Sequence, residues 1–225
     1  MQITGLFHVA IKTNDLDATV KFYTDVLGMT LAHRPDFGFP GAWIAGPDGT
    51  PWHSWRVLIL PFLEPREVYE AYRFDEPWNG PHNRTLVNKV GSLFRRSGLE
   101  DSPAGVTSFV AVVGPGTAWS DGPVPARREA IGDPKGSTIL VVEVPDASET
   151  PWMAPVDLDF ARMSLKLNDG TGRSLGSEFK GARVLTADFS VHNLRDDTRP
   201  EHLRALITSN GGEPITWEDV TPPRP

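Results

Sequence analysis

The stretches VTSFVAVV at residues 106–113 and TILVVEV at residues 138–144 decide the fold. Both are strand-sized, rich in β-branched residues, and apolar at consecutive rather than alternate positions. A strand with that pattern is buried on both faces, so these two belong inside a sheet and not at its edge. Roughly two dozen residues lie between them, a long connection for a compact domain. Toward the C-terminus, residues 182–187 and 190–194 read as a hairpin around Asp188. A closing helix is expected from about Pro200 to Ser209, with Thr198 and Glu201 as a capping box and Asn210-Gly211-Gly212 as its end. Asp196 and Asp197 are expected to serve the start of that helix.

Toward the N-terminus, SWRVLILPFL at 54–63 reads as a short buried helix or an extended run, because Pro61 limits any strand. A short helix is expected from Pro65 to residue 73, a turn-rich loop at 76–82, and another short helix at 83–90 with Leu86, Val87 and Val90 inward. Residues 3–12 read as a strand. Asn14 or Asp15 then caps a helix whose apolar stripe is Leu16, Val20, Tyr23 and Leu27, with Gly28 at its end. Strands at 29–33 and 41–45 and a turn at Gly46-Pro47-Asp48-Gly49 follow. The class is α+β: an antiparallel sheet with short helices and long loops.

Composition bounds the function. The chain has 225 residues, with 22 Lys and Arg against 29 Asp and Glu, a formal charge of −7. That balance argues against general nucleic-acid binding, which needs a basic face. The 21 glycines and 21 prolines describe a turn-rich chain. The absence of cysteine excludes a disulfide scaffold, thiolate metal sites and a cysteine nucleophile. No apolar run is long enough to cross a membrane, and the sequence as written carries no signal peptide or lipidation signal, so the expected location is the cytoplasm.

Several motifs offer chemistry. Asp157 and Asp159 lie on one side of the chain if that stretch is extended, which makes them candidate paired carboxylates; the competing reading is a solvated loop. Gly114-Pro115-Gly116-Thr117 follows a strand as a phosphate loop would, but it lacks Gly-Lys-Ser/Thr, which favours a structural turn. Ser54 and Ser108 have no Gly-x-Ser-x-Gly elbow around them. Asn83-Arg84-Thr85 fits a glycosylation sequon. Trp52, Trp55 and Trp78 suit either an aromatic binding face or core anchoring.

Two resemblances join in the middle of the chain. Residues 5–46, GLFHVAIKTNDLDATVKFYTDVLGMTLAHRPDFGFPGAWIAG, resemble the opening of a vicinal-oxygen-chelate protein of the glyoxalase, bleomycin-resistance and extradiol-dioxygenase superfamily. The resemblance implies a βα fragment in which His8 is a divalent-metal ligand. Glu143 is the best stand-in for a second ligand and His53 a further candidate; the alternative for His8 is a half-buried strand histidine. Residues 38–225 are similar to a prepilin- or pseudopilin-like family of unknown function (domain of unknown function 1559). The blocks HSWRVLILPFLE (53–64), YRFDEPWNGPHN (72–83), TSFVAVVGPGTAW (107–119) and GSTILVVEV (136–144) carry it in order.

That second resemblance implies a pilin-like head, preceded in family members by a prepilin cleavage segment and an apolar helix, and ending in a His-x9-Asp-Gly motif. Here the glyoxalase-like stretch stands in place of the apolar helix. Asp188 holds the Asp position, but Phe189 replaces the glycine and Glu178 stands where the histidine belongs. Two units are expected, 1–46 and 47–225, as in a fusion whose junction falls between Phe39 and Gly49. The expected function is a non-catalytic globular head, without cofactor, nucleic acid or membrane insertion, and with self-assembly or envelope partners. The alternative is a metal-dependent lyase, dioxygenase or antibiotic-binding protein that uses a divalent metal at His8.

Overall fold

A computed structural model describes residues 15–26, 29–32, 43–45, 52–63, 66–90, 92–96, 105–119, 128–145, 150–177 and 180–221. The strand expected at 3–12, His8 and Glu178 lie outside the described residues.

Helix α1, Leu16–Lys21, starts where the sequence placed it: Asp15 Oδ1 accepts the Ala18 N–H at 2.9 Å. It runs on into a π-helical turn, Phe22–Val26. None of these residues is buried; the expected stripe of Leu16, Val20 and Tyr23 is only half covered among the described residues. Strands β1, Thr30–Ala32, and β2, Trp43–Ala45, pair antiparallel with Leu31 opposite Ile44, in a two-stranded sheet of their own.

The described residues between 52 and 96 form short helices joined by turns. Ser54 caps helix α2, Trp55–Ile59, by accepting the Arg56 N–H. Pro61 sits inside the 3₁₀ turn Leu60–Phe62 that continues it, so the ambiguous run resolves as helix. Helix α3, Arg66–Ala71, and a 3₁₀ turn, Asn83–Leu86, complete the layer. Val57, Leu60, Val68, Leu86, Val90 and Phe94 form its core together with Trp152. Trp152 stacks on Phe94 at 5.4 Å and donates its indole N–H to the Val87 carbonyl at 2.7 Å.

The main sheet, among the described residues, has five strands: β3 (Phe109–Val113), β4 (Ile139–Glu143), β5 (Leu158–Asp159), β6 (Ala182–Thr186) and β7 (Val191–Leu194), in the order β5-β3-β4-β6-β7. All pairs are antiparallel except β3 with β5. The two continuous apolar runs, β3 and β4, are interior strands, as their pattern required; Val110 through Val113 are all buried. Helix α4, Pro200–Ile207, lays Leu203, Leu206 and Ile207 on a core shared with Val112, Ile139 and Val184. His192 on β7 stacks on Trp217 at 3.6 Å, and Trp217 donates to the Gly136 carbonyl at 2.8 Å, tying the C-terminal segment to the sheet.

Two local expectations are corrected. The Thr198–Glu201 capping box does not form: Thr198 Oγ1 donates to the Arg195 carbonyl, and Pro200 begins the helix behind Arg199, which supplies no side-chain cap. A capping box forms instead between Thr216 and Asp219, ahead of the 3₁₀ turn Trp217–Asp219. Asp196 serves loops rather than the helix start, accepting from Asn168 Nδ2 at 2.6 Å and the Gly181 N–H at 3.2 Å.

Candidate functional site

Helix α2 is keyed to the sheet through Arg56. Its side chain is fully buried, and its guanidinium makes five bonds: Nε to the Phe109 carbonyl at 2.9 Å, Nη1 to Ser54 Oγ at 2.8 Å and the Ala154 carbonyl at 3.4 Å, and Nη2 to the Val156 carbonyl at 3.4 Å and Asp157 Oδ1 at 3.0 Å. Asp157, whose side chain is only 2% exposed, accepts on the same Oδ1 from Trp55 Nε1 at 3.1 Å and the Ala111 N–H at 2.8 Å. Burial disfavours the arginine's charge, and the Asp157 carboxylate opposes that effect. The reading of Asp157 as part of a solvated loop is therefore corrected: it is half of a buried ion pair.

The pair has a position as well as a charge. Residues 109, 111 and 113 of β3 point their polar backbone toward the β5 side. Val113 is met by a strand-like partner, the Phe160 N–H, at 2.9 Å. Phe109 and Ala111 lie beyond the two-residue β5, and there Arg56 donates and Asp157 accepts in place of a neighbouring backbone. Sequence reasoning passed over Arg56; a lone arginine in the apolar run SWRVLILPFL was the signal that could have found it.

Glu143 closes a second lock. Its Oε1 accepts from Arg96 Nη1 at 2.6 Å and its Oε2 from the Arg183 N–H at 2.8 Å, with the side chain 1% exposed. The end of β4 thus holds both the loop after Phe94 and strand β6. The structure does not bring His53 to Glu143: His53 Nδ1 lies 2.9 Å from the Tyr72 hydroxyl, edge-on to Tyr72 and Phe74. Burial pushes the His53 pKa down to about 4, and burial followed by the Glu76 charge pushes Tyr72 up. Among the described residues, no three His, Asp or Glu side chains group as a metal site would need.

Asn83 is the third buried polar centre. Its Oδ1 accepts the Arg73 N–H at 2.9 Å, and its Nδ2 donates to the carbonyls of Arg73 at 2.7 Å, Pro77 at 3.1 Å and Glu76 at 3.3 Å. Glu76 Oε1 takes the N–H groups of His82 and Asn83. In the structure the sequon's Asn83 is a loop clasp, its side-chain nitrogen buried and engaged. Trp55, whose indole N–H donates to Asp157, and Trp78, whose side chain packs on the core of the 52–96 layer, act as anchors. Gly114-Pro115-Gly116-Thr117 is a structural turn, with Gly114 and Gly116 at positive φ and Thr117 Oγ1 donating to the Gly114 carbonyl.

The β6–β7 turn explains the missing glycine. The Phe189 N–H donates to the Thr186 carbonyl and the Thr186 N–H to the Ser190 carbonyl, which leaves Phe189 at φ +69°. This is the left-handed position of a three-residue hairpin loop, where glycine is preferred. Asp188 Oδ1 accepts from Thr186 Oγ1 at 2.6 Å and the Ser190 N–H at 3.0 Å, and these bonds hold its pKa below the usual carboxylate range. The Asp of the expected motif therefore has a turn-building role in this chain. Phe189 is 68% exposed, with the Arg128 guanidinium over its ring.

The polar residues of the 52–96 layer are thus the ones that clasp it and fasten it to the sheet. Residues 32–95 match a family described as a protein of unknown function (DUF1559). Neither a curated protein nor a solved structure matches the chain. The family match takes in β2, α2, α3 and the Asn83 clasp, with Arg56 inside it. It begins near the residue 38 at which the sequence resemblance was expected to start, and ends at 95 where that resemblance was carried to 225. It does not reach residues 5–31 of the glyoxalase-like stretch.

Proposed function

We propose that the chain acts by contact rather than catalysis, as a prepilin- or pseudopilin-like globular domain of a secretion- or envelope-associated family. The observation that carries this reading is the family match over residues 32–95. The use of buried polar groups is in keeping with it. Arg56, Asp157, Glu143, Arg96 and Asn83 bond to one another or to backbone, fastening the matched layer onto an open sheet. Such a domain presents surface to partners, and its polar interior serves rigidity. Among the described residues no helix is long and apolar enough to cross a membrane.

The test is metal content. The chain, refolded or expressed with zinc, manganese or iron supplied, is expected to retain substoichiometric metal after dialysis, and His8→Ala is expected to change nothing. One equivalent of metal, lost on His8→Ala, would overturn the reading in favour of a glyoxalase-type enzyme. In that case Glu143→Gln would also have to lower metal affinity, since Glu143 would have to release Arg96 to reach a metal.

A further inference from the structure

A cavity of about 300 Å³ lies between β5, the end of β4 and the turns at 162–163 and 172–173. That is the lower range of sites that hold small organic molecules. Its lining is graded. Val110, Val144, Val156, Leu158 and Met163 provide apolar wall. Asp157 and Asp159, the two carboxylates expected on one side of an extended stretch, both line it, with side chains 2% and 27% exposed. Arg162, 72% exposed, and the exposed Arg173 line it too. Asp157 is therefore covered, Asp159 is half-buried, and the two guanidiniums lie at the solvent side of the apolar wall.

The two carboxylates are held differently. The three bonds that Asp157 accepts from Arg56, Trp55 and Ala111 all go to Oδ1, not to Oδ2. Asp159 accepts the Ala161 N–H on Oδ1 at 2.9 Å and meets Arg162 through Oδ2 at 3.3 Å, the latter a surface pair of small net strength that a better partner displaces. A simple cation would leave the two guanidiniums unused, and a simple anion would bring its charge toward two carboxylates. A ligand with both charges and an apolar body matches the whole lining.

We propose that this cavity binds a free amino acid with an apolar side chain, of the leucine or phenylalanine kind. Its ammonium lies on Asp157 and Asp159, its carboxylate on Arg162 and Arg173, and its side chain on the apolar wall. The proposal is independent of the contact function above: the metal test does not bear on it, and its own failure leaves that reading standing.

The experiment is calorimetric titration of the whole chain with L-leucine and L-phenylalanine. Half-ligands serve as probes: 3-methylbutylamine and 2-phenylethylamine without the carboxylate, 3-methylbutanoate and 3-phenylpropanoate without the amine. Saturable one-site binding of an amino acid is expected, with the matching half-ligands weaker by about tenfold or more, the scale of one charge-assisted hydrogen bond. Asp159→Asn and Arg173→Ala, both at solvent-reachable positions, are expected to weaken binding by about the same factor with the unfolding midpoint unchanged. Absence of saturable binding for both amino acids would overturn the proposal. So would amines binding as tightly as the amino acids, which would describe a plain cation site, or binding indifferent to both substitutions.

Discussion

His53 packs against Tyr72 and Phe74, and that packing opposes its charge. Its pKa is about 4 in the folded chain, against an ordinary 6.5. Between those values the unfolded chain binds more protons than the folded one, so stability falls as pH drops from 6.5 toward 4. The loss approaches about 3 kcal/mol. Urea midpoints measured across that range should show this slope, and His53→Gln should flatten it; an equal slope in the variant would assign the effect elsewhere. Phe189 presents a second residue-scale cost. A non-glycine residue in the left-handed region is disfavoured by ~1 kcal/mol, so Phe189→Gly is expected to stabilise the chain by about that amount. A lowered melting temperature would show that the ring's contact with Arg128 outweighs the backbone strain. The sequence disclosed this strain, because Phe189 stands where the resembled motif has glycine. It did not disclose the burial of His53, which depends on two aromatic residues some twenty positions away.

At the scale of elements, the two-residue β5 is too short to cover β3. The edge of β3 left open at Phe109 and Ala111 is covered by the Arg56–Asp157 pair. Removing one partner, as in Arg56→Met, is expected to cost ~3–5 kcal/mol, because it strands a buried charge. An ordinary buried ion pair is often replaceable by two apolar residues without loss. Here the combined Arg56→Met and Asp157→Leu chain should remain destabilised by ~1–3 kcal/mol, since the Ala111 N–H loses the Asp157 oxygen and the Phe109 carbonyl keeps only the bond from Thr107 Oγ1. Full recovery in the double variant, read from denaturant midpoints, would reduce the pair to a charge effect. The elements themselves were largely legible: the interior placement of β3 and β4, the hairpin around Asp188 and the closing helix all follow from local pattern. The cap of α4 was not, because the Thr198 hydroxyl donates to the Arg195 carbonyl instead of accepting an N–H of the helix's first turn.

Across the whole molecule, the two larger of the three apolar cores among the described residues lie one around α4 and the sheet and one within the 52–96 layer. Arg56–Asp157 and Arg96–Glu143 connect them through groups that are dry on at least one side. The two regions are therefore expected to unfold together, with tryptophan fluorescence and far-ultraviolet circular dichroism giving one coincident transition in urea. Glu143→Gln, which weakens the Arg96 bond while keeping the shape, should raise amide exchange around residues 92–96 before it affects β6 and β7. Equal exchange in both regions would mean that Glu143 does not carry the connection.

The sequence by itself determined what depends on neighbours along the chain: the class of the fold, the two interior strands, the turn that asks Phe189 for a left-handed backbone, and the exclusion of thiol chemistry. Tertiary structure alone decided which charges are buried as fasteners. Arg56 and Asp157 are about a hundred residues apart, and no local pattern announces that one oxygen will collect a guanidinium, an indole and a backbone N–H. It also placed Asp157 and Asp159 in one cavity with Arg162 and Arg173. The physical reason is one of range. Helix and strand preferences act over a few residues, whereas the desolvation that fixes the role of a charge is set by whatever the folded chain packs around it.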